Sequence, residues 1–127
     1  MKKALPIIAS IALGGLFVFA SIVVLFNLMK APPPPEGSPA ATYFGVIGST
    51  GYLKFIKIFE LVGGILVMIP RMRNIGLLLL GPVIVNIVAF HIFIAGDNLK
   101  DRMTITVLVL ALYLLWDARK KFSGLLN

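Results

Sequence analysis

Residues 50–95 read TGYLKFIKIFELVGGILVMIPRMRNIGLLLLGPVIVNIVAFHIFIA. Two apolar stretches, 50–69 and 74–95, flank the basic turn Arg71-Met72-Arg73, and Pro70 closes the first of them. A helix rises 1.5 Å per residue, so about 20 apolar residues cross roughly 30 Å of hydrocarbon. Each stretch is long enough for one span, and the tight turn makes the pair an antiparallel hairpin. Ser49 or Thr50 can cap the first helix. In the second, Gly81-Pro82 removes one backbone donor, which predicts a kink rather than an end, because half of this stretch is too short to span.

The rest of the chain extends the same pattern. Lys2-Lys3 precede an uncharged run from Ala4 to Met29, read as a first helix over 4–29. A signal peptide cleaved after Ala20 is the alternative, but the run continues through Ile22 to Phe26, beyond the usual 7–15 residues of a signal core. Residues 30–41 read KAPPPPEGSPAA, where four consecutive prolines forbid a helix. An external proline-rich loop is therefore expected over 30–49, its aromatic, glycine-rich end packed over the bundle mouth. Gly96-Asp97-Asn98 form a further turn, with Asn98 a candidate cap, and a fourth helix is expected over 99–120. Its apolar core, Met103 to Trp116, reaches span length only if charged ends extend into the headgroups.

Composition agrees. The chain has 127 residues, of which 59% are hydrophobic and 13% charged, and its mean hydropathy is +1.00. So little charge cannot coat a soluble domain of this size, and lipid is the expected solvent. The expectation is an all-α, integral membrane four-helix bundle forming a single domain over 1–127, with the bilayer as its first partner. The net charge of +7 lies in small groups at the ends of apolar runs, not on one polar face, which argues against nucleic acid. Lys2, Lys3, Arg71, Arg73, Arg119, Lys120 and Lys121 fall on one side. Lys30, Lys100 and Arg102 fall on the other, with Lys54 and Lys57 at the mouth of the second helix. The positive-inside rule then places both termini in the cytoplasm of a bacterial inner-membrane protein.

Cysteine is absent and histidine occurs once, at His91. Disulfides, thiolate metal sites, covalently attached haem and bis-histidine haem within one chain are thereby excluded. No metal-binding spacing, Walker loop, dinucleotide fingerprint or serine-nucleophile elbow is present, and no catalytic residue is assigned. The pairs Gly63-Gly64 and Gly14-Gly15 suit close approach of neighbouring backbones.

The informative residues are polar ones inside the hairpin. Glu60 lies about 10 Å inside its helix, where an unpaired charge is costly. Lys57 is one turn away and close enough to pair. Equal rise on both helices brings Glu60 level with Asn86, and Lys54 level with His91. Glu60, Lys57, Asn86, His91 and Lys54 are thus candidates for one intramembrane polar site. The structural alternatives are plain: Asn86 as interhelical glue, His91 as an interfacial hydrogen-bonding group, Lys54 and Lys57 as snorkelling side chains.

Thr50-Gly51-Tyr52-Leu53, Lys57-Ile58-Phe59-Glu60-Leu61-Val62-Gly63-Gly64, Gly81-Pro82-Val83-Ile84-Val85-Asn86-Ile87 and Phe90-His91 together resemble the DoxX family. The resemblance covers 50–95. It implies a small four-helix bundle of the bacterial cytoplasmic membrane, related to DoxD-type subunits of thiosulfate:quinone oxidoreductase. Three functions fit. One is a membrane subunit of a redox system, binding a quinone or docking a redox-enzyme partner and not catalytic alone. The second is a non-enzymatic scaffold or assembly factor. The third is a small proton-coupled exporter, against which the Lys57–Glu60 pairing counts, because a paired acid is unsuited to proton cycling. Substrate, partner identity and oligomeric state are not encoded in any motif.

Overall fold

The computed structural model describes residues 4–28, 33–96 and 101–124. Among these residues the chain is all-helical: α1 (Ala4–Leu25), α2 (Pro39–Ser49), α3 (Tyr52–Met68), α4 (Arg73–Ala89) continued by a π-helical turn (Phe90–Ala95), α5 (Arg102–Asp117) and the short α6 (Arg119–Ser123). The four long helices alternate in direction. α3 packs chiefly on α1 and α4, and α5 packs on the same two, so α3 and α5 face each other across the bundle axis.

Glycine decides how close these helices come. Gly63 and Gly64 are adjacent in sequence and so point about 100° apart, towards two different neighbours. A Cβ on Gly64 would meet the Gly14 carbonyl oxygen at 3.0 Å, and one on Gly14 would meet the Gly64 carbonyl and Met68. On the other side, a Cβ on Gly76 would lie 2.5 Å from the Val67 nitrogen, and one on Gly63 would lie 2.8 Å from Leu80. The missing side chains are therefore what seats α1 and α4 on α3. Gly15 differs from its neighbour: nothing lies within 4 Å of its Cβ position, and close approach belongs to Gly14 alone. Leu13, Phe17, Val67, Leu77, Leu80, Val107, Ala111 and Leu114 fill the core around these contacts.

Helix ends correct several expectations. α1 stops at Leu25 rather than at 29. Asn27 takes the left-handed conformation (φ 52°), while Leu28 N–H donates to the Val23 carbonyl and Asn27 N–H to that of Val24. This is a Schellman stop, with asparagine in glycine's usual place. The expected loop over 30–49 is helical from Pro39: Ser38 Oγ accepts from Ala41 N–H, and Pro39 supplies a preset φ in the first turn. Thr50 ends α2, and Gly51, left-handed at φ 83°, starts α3, so neither Ser49 nor Thr50 caps α3. The fourth long helix begins at Arg102 and ends at Asp117, inside the expected 99–120. Its cap is Asp101, which accepts from Thr104 N–H, whereas Asn98 lies outside the described residues.

α4 runs through Pro82 without a break. Its irregularity comes later, at Phe90–Ala95, where the helix widens to π geometry before the left-handed Gly96. Two helices, Ala4–Leu25 and the continuous Arg73–Ala95, are long and apolar enough to cross a membrane. Large hydrophobic side chains face outward on all four long helices, among them Ile8, Ile58, Val62, Leu78, Val85, Val109 and Leu112.

Candidate functional site

Polar side chains gather where the bundle opens towards α2. Glu60 on α3 is 3% exposed, and Lys57 Nζ donates to its Oε1 at 3.3 Å. The pair forms because three residues make just under one helical turn, which stacks the two side chains on one face. Burial makes the pair consequential, since a carboxylate so enclosed needs a cation or several donors beside it.

A cavity of about 240 Å³ opens beside the pair, beneath α2. Lys57, Glu60, Asn86 and His91 supply its polar groups, and Tyr43, Phe44, Ile47 and Phe90 most of its apolar lining. Tyr43, Phe44 and Phe90 form a cluster with ring centroids 5.2–5.3 Å apart, and Phe90 stands edge-on to the His91 ring at 5.3 Å. A smaller cavity of about 140 Å³ lies towards the bundle axis, lined by residues of all four long helices. Lys57, Glu60 and Ile87 border both, so the ion pair forms part of the wall between them.

His91 is held from α5. Its Nε2 lies 3.0 Å from Thr104 Oγ1, and Thr104 Oγ1 also donates to Asp101 Oδ2 at 2.7 Å. Asp101 Oδ2 is itself 3.9 Å from His91 Nε2. Asp101 therefore serves twice, capping α5 and completing a small polar network with Thr104 and His91. Asp101 and Thr104 also line the inner cavity opposite Lys57 and Glu60.

The five sequence candidates thus separate. Glu60, Lys57, Asn86 and His91 share the outer cavity. Asn86 is exposed towards it, and no hydrogen bond joins it to Glu60. Lys54 is exposed and borders neither cavity. Matching depths along two helices sets level but not azimuth: at about 100° per residue, Lys54 sits roughly 120° around α3 from Glu60. Among the described residues no group of three or more His, Asp or Glu side chains could hold a metal ion.

Over 133 aligned residues the chain is 37% identical to "Uncharacterized protein YwoB" of Bacillus subtilis (strain 168), covering 98% of this chain and 84% of that protein. The chain belongs to the YwoB family. No family model matches the chain. No solved structure matches it either.

Two parts of this YwoB-family site escaped the sequence reading. Ser38-Pro39 is a helix-start signature, and Tyr43 and Ile47 then fall on one face of α2. The four prolines before it and the glycines within it obscured that signal. Asp101 and Thr104 carried a capping signal, an acid three residues before the residue whose N–H it receives, ahead of an apolar run.

Proposed function

We propose that this protein is a four-helix inner-membrane protein whose outer cavity binds the headgroup of a quinone, as the membrane subunit or partner of a redox system. The observation that carries this reading is the buried Glu60–Lys57 pair, facing a cavity of about 240 Å³ shared with Asn86 and His91.

The bilayer follows from the outer surface. Exposed Ile, Leu and Val on all four long helices leave no polar face for water, while each helix satisfies its own backbone. α3 and α5, of 17 and 16 residues, reach roughly 24–26 Å, within the tolerance of a tilted or locally thinned bilayer. The basic residues of the α3–α4 turn and of α6 share one end of the bundle, which by the positive-inside rule is cytoplasmic. Single cysteines at Ser38, Met72 and Ser123 test this. An impermeant thiol reagent should label position 38 in intact cells and spare 72 and 123; the reverse pattern would overturn the orientation.

A quinone ring needs hydrogen-bond donors for its carbonyls, apolar walls for its faces and an apolar route for its tail. Lys57 and Asn86 supply donors, and His91 supplies a ring nitrogen able to give or take a proton. Tyr43, Phe44 and Phe90 supply aromatic walls. The volume lies below the ~300–1,000 Å³ of drug-sized sites, which suits one ring and not a flavin or a haem. The DoxX-like order of motifs across the same hairpin supports the redox association.

A mild-detergent preparation should retain quinone that organic solvent extracts, and it should bring down a redox protein identifiable by mass spectrometry. Glu60→Gln should insert and fold yet lose the quinone. A wild-type preparation free of quinone would sink the binding reading. The same polar residues would then serve a membrane scaffold, stabilising the bundle and nothing more.

A further inference from the structure

At the opposite end of the bundle a separate cleft of about 290 Å³ lies between the start of α4 and the end of α5. Arg73, Asn74, Asp117, Lys120 and Lys121 supply its polar lining, and Leu114 closes its base. The cleft exists because the last helix turns. α5 ends at Asp117, Ala118 leaves helical geometry (φ −98°, ψ 13°), and α6 sets off in a new direction with Phe122 packed back on the core. That anchor holds Lys120 and Lys121 over the first turn of α4. Arg119 is engaged elsewhere: its guanidinium lies 4.3 Å over the Trp116 ring and donates to the Trp116 carbonyl at 2.7 Å.

Three cations thus face one acid, and among the described residues no ion pair joins Asp117 to any of them. Arg73 adds a second observation. Its Nε is buried and has no hydrogen-bond partner among the described residues. A buried donor left unmade is unfavourable, and a guanidinium flanked by two ammonium groups suits a tetrahedral, doubly accepting anion. Around this level Ile69, Leu115 and Trp116 are exposed, an apolar-to-aromatic transition of the kind found at a membrane interface.

We propose that this cleft binds the phosphate of an anionic phospholipid headgroup, with Arg73 as the principal ligand and Lys120 and Lys121 completing the charge. The proposal rests on the bilayer reading above but not on the quinone site. Basic pockets between membrane helices are suited to such headgroups, and each basic residue near an anionic surface contributes about fivefold in affinity (about 1 kcal/mol).

The test uses the full chain in mild detergent with equal phosphatidylglycerol and phosphatidylcholine, the bound lipid read by native mass spectrometry. Wild type should retain phosphatidylglycerol preferentially. The Arg73→Gln, Lys121→Gln double variant should lose that preference, at about fivefold per charge removed. Arg102→Gln, at the other end of the bundle, should keep it. Equal retention of the two lipids by wild type would overturn the proposal, as would a double variant behaving like Arg102→Gln. Loss of the preference in millimolar inorganic phosphate would overturn the lipid assignment in favour of a soluble anion. Recovery of the chain from the soluble fraction without detergent would instead defeat the bilayer reading and take this site with it. A membrane-bound chain with no lipid preference defeats the site alone.

Discussion

The two halves of α3 meet the same neighbours in opposite ways. From Gly63 to Met68 the helix has glycine or slim side chains at its contacts, and the backbones of α1 and α4 come within van der Waals range. From Leu53 to Glu60 it carries lysine, glutamate and aromatic rings, and two cavities open beside it. One half is held by direct packing, the other by an ion pair, a His–Thr–Asp network and an aromatic cluster. Side-chain volume at the helix contacts sets the difference: without a Cβ the helices close, and with long polar side chains they must part and satisfy those groups internally.

The strongest challenge to this contrast is to put side chains into the closed half. Gly76→Leu should cost about 3 kcal/mol or more, because its Cβ meets the Val67 backbone and backbone cannot step aside. Thermal unfolding in detergent measures it. Gly15→Ala and Gly81→Ala, with open space at the Cβ, should be neutral or stabilise by up to about 1 kcal/mol. Similar losses at all three positions would mean that close approach is not what seats the helices.

In the open half, Glu60→Leu should destabilise by about 3 kcal/mol, since Lys57 is left partly buried without its partner. The double variant Lys57→Met, Glu60→Leu should recover much of the loss. Additive costs in the cycle would show that the pair is not a coupled unit.

A smaller effect, about 1–2 kcal/mol, is expected for Asp101→Ala, which removes the α5 cap and one bond of the His91–Thr104 network together. Thr104→Val should cost about 1 kcal/mol and leave the cap in place. If Thr104→Val cost as much as Asp101→Ala, the cap would be contributing nothing.

The smallest effect on stability belongs to Asn86→Ala. Asn86 is exposed to the cavity and not bonded to Glu60, so unfolding should shift by less than about 0.5 kcal/mol. Quinone content should fall nonetheless if the cavity is a binding site. A large stability loss with unchanged quinone would make Asn86 interhelical glue instead.

The all-helical character was legible in long apolar runs, because helix length and hydrophobicity are local properties. The hairpin at Arg71–Arg73 was legible because so short a turn can only reverse the chain, and Glu60 with Lys57 because residues three apart share a face. Helix α2 was hidden: prolines and glycines lower local helix propensity, and burial of Ile47 against α3 and the π-helical turn overrides it.

What the sequence by itself determined is everything that follows from chain-local spacing: helices, their order, the basic end and the one buried acid with its neighbouring lysine. Only the tertiary structure decided azimuth. It excluded Lys54 from the cavity, brought Asp101 and Thr104 to His91, and set Gly64 against Gly14 while Gly15 looks away. Helical periodicity tells which residues share a face, but which neighbour that face meets is set when whole helices rotate to bury their glycines and pair their charges.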